Sequence, residues 1–175
     1  MTAANAPSES VLRWNALRGG IDDLAAQLPP AAVRCAPPFE DAFTLPGAFA
    51  LEDSQIWREG RVMAQSRASM LPVLAMGVQP GERVLDLCAA PGAKASYLAA
   101  KLGGTGEIVA VEANSARARS LTQLADRMGA PLRLVEGDGR EVPLDGDFDA
   151  VLVDPPCSGL GVLGVRPDAR WRRTQ

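Results

Sequence analysis

One stretch constrains this chain most: Val84-Leu85-Asp86-Leu87-Cys88-Ala89-Ala90-Pro91-Gly92-Ala93-Lys94. An apolar run carries an acid near its end and breaks into a turn of small residues. The turn opens a helix through Ser96, Tyr97, Leu98 and Leu102. A buried parallel strand, a turn that admits the backbone closely and a helix N-terminus with free N–H groups together make a ligand corner in an α/β sheet. Taken alone the segment also reads as a plain tight turn between strand and helix.

The pattern that follows is regular. Arg83–Leu87, Ile108–Val111, Leu132–Val135 and Phe148–Val153 read as strands. Lys94–Leu102 and Ser115–Met128 read as helices, stopped by Gly103-Gly104 and by Gly129. In the second helix Ala118, Leu121, Leu124, Ala125 and Met128 share one face. Strand and helix in turn predict right-handed βαβ units on a parallel sheet of about four strands, an α/β fold.

Upstream the signals are weaker. Residues 1–10 are small and polar, and fraying is expected there. Val11–Trp14 suits a short strand. Ile21, Leu24, Ala25 and Leu28 recur at helical spacing, with Asp22 and Asp23 where the helix dipole favours acids, and Pro29-Pro30 as the stop. Val33–Cys35, and either Phe43–Leu45 or Phe49–Leu51, are further strand candidates. The result is a small α+β unit over residues 1–59, too small to bury much core alone and expected to lean on the unit at 60–175. Met63, Met70, Leu71 and Leu74 suggest a helix reaching about Met76, with Pro72 as an irregularity. Gly77, Pro80 and Gly81 then turn the chain into the central strand.

Composition excludes more than it selects. Of 175 residues 47% are apolar and 22% charged, and the net charge of -3 offers no global basic field to a nucleic acid. The basic residues cluster, however: Arg58, Arg61 and Arg67 before the central motif, and Arg166, Arg170, Arg172 and Arg173 near the C-terminal end. Each cluster is either a solvated face or a phosphate contact. Cys35, Cys88 and Cys157 are odd in number, far apart and without CxxC spacing, so neither a disulfide framework nor a metal site is expected. A reducing cytoplasm is their natural setting. Histidine, the usual base near neutral pH, is absent from the sequence. No apolar run approaches a membrane span.

Acids follow the strands in order. Glu112 closes the second strand about 20 residues past Gly92, the position from which an acid accepts hydrogen bonds from a ribose diol. Asp138 follows the third and suits an adenine amino group, or a helix cap. Asp154 follows the fourth. Acids at the ends of successive strands on one sheet edge, Asp86 the first of them, point to an adenosyl ligand. The last of them opens Asp154-Pro155-Pro156-Cys157-Ser158-Gly159. Carbon-5 of cytosine becomes nucleophilic only after a thiolate adds to carbon-6, so a cysteine in this position suits that chemistry. Its thiol pKa would need lowering by a helix N-terminus or an arginine. Cys157 is otherwise an inert turn residue, and Cys88 is read mainly as packing.

At these residues the chain resembles the RNA cytosine-5 methyltransferases of the Sun/Nop family. Leu85–Lys94 is similar to the family's cofactor loop and Asp154–Gly159 to its catalytic loop. Gly60–Gln65, Arg166–Trp171 and Leu12–Asn15 are also family-like. The resemblance implies a Rossmann-like class I methyltransferase sheet preceded by an RNA-binding subdomain. It implies S-adenosyl-L-methionine held by Cys88, Ala89, Ala90, Pro91, Gly92, Ala93, Lys94, Glu112, Asp138 and Asp154. It implies ribosomal or transfer RNA as partner; the cysteine spacing and hydropathy add the expectation of no metal and no membrane. Asp154 would orient the cytosine edge. Ala93 and Ala95 stand where the family usually has glycine and a hydroxyl residue, and Glu112 where aspartate is commoner. In the family the attacking cysteine lies in a later Thr-Cys-Ser-like motif, and the loop cysteine, here Cys157, assists product release. On this resemblance the chain is expected to be C-terminally truncated, with an unpaired edge beside the fourth strand. A non-catalytic module that binds RNA or the cofactor is the rival expectation.

Overall fold

The computed structural model describes residues 10–45 and 50–155. Two sheets organise them. The first is antiparallel and contains β1 (Ser10–Trp14), β2 (Val33–Arg34), β3 (Ala42–Leu45) and β4 (Val62–Ala64), in the order β2-β3-β1-β4. Two short helices, α1 (Ile21–Ala25) and α2 (Gln55–Arg58), accompany it. Helix α3 (Arg67–Met76) leads to the second sheet, whose strands β5 (Arg83–Asp86), β6 (Glu107–Glu112), β7 (Arg133–Glu136) and β8 (Ala150–Leu152) are all parallel. Helix α4 (Ala93–Lys101) joins β5 to β6, and α5 (Ser115–Met128) joins β6 to β7. The order β7-β6-β5-β8 puts β5 in the interior, with the chain departing to one side and returning on the other. Such a switch point opens a crevice at the carboxyl ends of the strands.

Local chemistry explains the boundaries. Asn114 caps α5 by accepting hydrogen bonds from the amides of Ala116 and Arg117, and Gly129 ends the helix in the left-handed conformation. Ser66 caps α3 in the same way, and Gly77 closes it. The helix runs through Pro72 instead of breaking there. The start expected at Met63 is corrected: Met63 lies in β4, paired with Arg13 of β1, and the helix begins at Arg67. The antiparallel sheet thus takes in three residues beyond residue 59. Leu51, one end of an alternative strand, is in a 3-10 turn, while Phe49 and residues 1–9 lie outside the described residues.

Alternation along β1 gives its two faces different neighbours. Leu12 packs with Leu24, Phe43, Ile56 and Val62 in the small unit's own core. Val11 points the other way, into a core shared with Met70, Val84, Tyr97, Ile108 and Met128. The seam between the units is polar as well. Asn15 donates to the carbonyls of Gly60 at 2.8 Å and Met128 at 2.7 Å. Arg13, with 0% exposure, donates to Ser96 Oγ at 2.9 Å and stacks over Tyr97. The Tyr97 hydroxyl donates to Asp41, which also pairs with Lys101 at 2.8 Å.

Candidate cofactor site

The site grows from the carboxyl end of β5. Its first turn is tied down by two amide hydrogen bonds. The amide of Cys88 donates to Asp86 Oδ1 at 3.4 Å, and that of Ala89 to the carbonyl of Val111 at 3.0 Å. Gly92 then takes φ +107° as the N-cap of α4. A β-carbon there would lie 2.7 Å from Leu121 Cδ1 and 3.0 Å from Leu124 Cδ2, so only glycine lets the loop settle onto α5. The Ala90–Pro91 peptide is cis. Ala89 and Ala90 of the loop are buried against Ala110 and Leu121.

A cleft of about 410 Å³ opens beside this turn. Cys88, Glu112 and Asp138 line it, together with Leu87, Ala113, Arg117, Gly139, Arg140, Val153 and Pro155. Three of the expected residues are therefore brought together. Glu112 is 4% exposed; its Oε1 accepts from the Asn114 amide at 3.0 Å and its Oε2 lies 3.6 Å from Arg117 Nη2. Asp138 accepts from the Arg140 amide and guanidinium, which hold its carboxyl far below the usual carboxylate range. Burial, with Asp86 and Glu112 nearby, pushes the Cys88 thiol up, so that it stays protonated at neutral pH. Asp154 takes a different place: its Oδ2 is 2.6 Å from Lys94 Nζ, which ties the start of α4 to the loop after β8. Cys157 lies outside the described residues.

Asp86, the acid at the end of the apolar run, adjoins the cleft through Leu87, and Arg117, which the sequence pattern did not single out, lines it. Asp86 is 1% exposed, and its Oδ2 is buried without a hydrogen-bond partner. Burial raises its carboxyl to about 6. An acid enclosed by Val84, Leu85 and Leu87 in an apolar strand was the available signal, because burial there costs too much without a purpose. Arg117 stands in the first turn of α5, where the helix dipole disfavours a cation. Its placement against that preference was the only mark of it in the sequence.

Residues 73–175, more than half of the chain, match the family described as 16S rRNA methyltransferase RsmB/F. The chain belongs to that family. Over 118 residues it is 42% identical to the human 28S rRNA (cytosine(4447)-C(5))-methyltransferase, covering 66% of this chain and 14% of the relative. Against ribosomal RNA small subunit methyltransferase F of an Enterobacter species it is 34% identical, covering 97% of this chain and 38% of the relative. The chain thus spans less than two fifths of either relative. Among solved structures it superposes on a methyltransferase homologue from Pyrococcus horikoshii with a TM-score of 0.79 and 28% identity, over 92% of this chain and 54% of the other. The parallel sheet is that of a class I, Rossmann-like methyltransferase.

Enzymes of this family depend on S-adenosyl-L-methionine, and the cleft fits that group. The turn enters the cleft wall at Leu87 and Cys88, and the volume suits a nucleoside-sized ligand. Each Glu112 oxygen keeps a lone pair for a ribose hydroxyl. Asp86 Oδ2, buried next to Leu87 of the cleft wall, has no hydrogen-bond partner.

Proposed function

We propose that this chain serves transfer of a methyl group from S-adenosyl-L-methionine to carbon-5 of a cytosine in RNA, with ribosomal RNA as the first substrate to test. The observation that carries the reading is the cleft in which Glu112 and Asp138 meet the glycine turn, with Lys94 holding Asp154 beside it. When bound, the cofactor supplies an electrophilic methyl group. Cys88–Lys94 would cradle it, Glu112 would hold the ribose hydroxyls, and Asp138 the adenine amino group. Asp86 would face the methionyl ammonium through its free oxygen. Asp154, fixed by Lys94, would present its remaining lone pairs to the polar edge of the cytosine. In such a reaction a thiolate would add to carbon-6 so that carbon-5 could accept the methyl group, and loss of the carbon-5 proton to a base would then expel the thiol. Cys157 belongs by resemblance to the release step, and the adding thiolate to a second cysteine.

The small antiparallel unit, residues 1–59 with β4 completing its sheet, is proposed as an RNA contact. Arg58 and Arg61 border a surface cleft of about 500 Å³ there, within reach of a phosphate backbone. The target base would have to leave its stack to reach the cleft. A cytoplasmic setting goes with this substrate. Among the described residues no helix is long and apolar enough to cross a membrane, and Cys35 and Cys88 are free thiols.

A second reading is a non-catalytic module that binds cofactor or RNA. Nucleoside mass spectrometry of ribosomal RNA incubated with S-adenosylmethionine separates the two. The chain alone is expected to give no 5-methylcytidine. Extension by a segment carrying a Thr-Cys-Ser-like cysteine is expected to produce it. Robust 5-methylcytidine from the chain alone would overturn the two-cysteine assignment. Cofactor binding without transfer in the extended protein would favour the binding module.

A further inference from the structure

The carboxylate proposed for the ribose does not stand alone. Glu112 is almost wholly buried, and burying a carboxylate is costly unless a charged or hydrogen-bonding neighbour pairs with it. Arg117 supplies one, with Nη2 3.6 Å from Oε2. The same Nη2 donates to the carbonyl of Ala90 at 2.6 Å, across the cleft wall in the cofactor loop. One guanidinium therefore touches both halves of the cradle: the loop after β5 and the acid at the end of β6. One helical turn on, Leu121 packs under Gly92 of the same loop, so Arg117 and Leu121 form a continuous support on α5. Arg117 also lines the cleft. The first turn of α5 contains no acid to offset its charge there, so the position gains nothing for the helix itself.

We infer that Arg117 is a positioning residue for the adenosyl ligand. It holds Glu112 in the rotamer that meets the ribose diol, with the Ala90 carbonyl as the anchor that fixes its guanidinium beside that carboxylate. This rests on the adenosyl reading of the cleft. Lysine is a poorer substitute, because its ammonium is more strongly hydrated and sits on a more flexible stem than the planar guanidinium.

Calorimetric titration of the chain with S-adenosylhomocysteine, and with its analogue lacking both ribose hydroxyls, tests the inference. Arg117→Gln is expected to weaken S-adenosylhomocysteine at least tenfold, and Arg117→Lys by an intermediate factor. The deoxy analogue, which makes no use of Glu112, is expected to bind parent and Arg117→Gln within about threefold of each other. A merely structural role would weaken both ligands alike, and that result overturns the inference. So does unchanged affinity for S-adenosylhomocysteine in Arg117→Gln. Circular dichroism checks the fold, and if Arg117→Gln does not fold, Arg117→Lys carries the same comparison between the two ligands. A folded parent that binds neither ligand removes the adenosyl reading and this inference with it. A binding parent with an indifferent Arg117→Gln removes this inference alone.

Discussion

Asp86 shows how a single residue couples stability to binding. Its folded pKa, raised to about 6 by burial, lies above the 3.8 of an unperturbed carboxyl. The folded chain therefore binds more protons than the unfolded chain between these values, and stability falls as pH rises through that window. A shift of about two units corresponds to roughly 3 kcal/mol at most. Asp86→Asn keeps the acceptor for Cys88 but removes the charge, while burying an unpartnered amide. It is expected to stabilise the ligand-free chain by about 1–2 kcal/mol at pH 8 and by almost nothing at pH 4. Chemical denaturation at the two pH values checks this; equal effects at both would show that Asp86 is not ionised at pH 8. The same substitution is expected to abolish S-adenosylhomocysteine binding, since the ammonium would lose its anion.

At the scale of elements, the cofactor loop and α5 behave as one piece, because Gly92 sits against Leu121 and Leu124. Gly92→Ala is expected to cost about 1–3 kcal/mol and to weaken cofactor binding at least tenfold. Adding Leu121→Ala should recover part of the binding, since it clears the space the new methyl group needs. No recovery would mean that the positive φ alone sets the penalty. Elements differed in how far local residues announced them. Helix α5 was legible to the residue, because Asn114 and Gly129 bound a stretch with a regular apolar face. Strand β4 was not. Its three residues are extended because β1 pairs with them from 50 residues away, and nothing within Val62–Ala64 specifies that partner. Likewise Glu112 and Asp138 could be placed from their distance past each strand. Arg117 could not, because its role depends on an Ala90 carbonyl 27 residues away.

Across the whole molecule, the two sheets share a core and a polar seam. Val11 from the antiparallel unit packs with Val84 and Ile108 from the parallel one, and Arg13 is sealed between them. A single cooperative unfolding transition is therefore expected by scanning calorimetry. Arg13 leaves Nε and Nη1 without partners, so its contribution comes chiefly from filling the seam and stacking on Tyr97. Arg13→Ala is expected to cost about 3 kcal/mol, and Arg13→Met, which keeps the volume without the buried charge, about 1 kcal/mol. Two separate transitions in the parent chain would show that the units fold independently.

The central claim is that the carboxyl edge of the parallel sheet is an adenosyl site organised by Glu112. Titration of the folded chain with S-adenosylhomocysteine, followed by isothermal calorimetry, tests it most directly. Saturable one-site binding is expected, weakened at least tenfold, about 1.4 kcal/mol, in Glu112→Gln. No detectable heat from the folded parent chain at millimolar ligand, or equal affinity in Glu112→Gln, would contradict it.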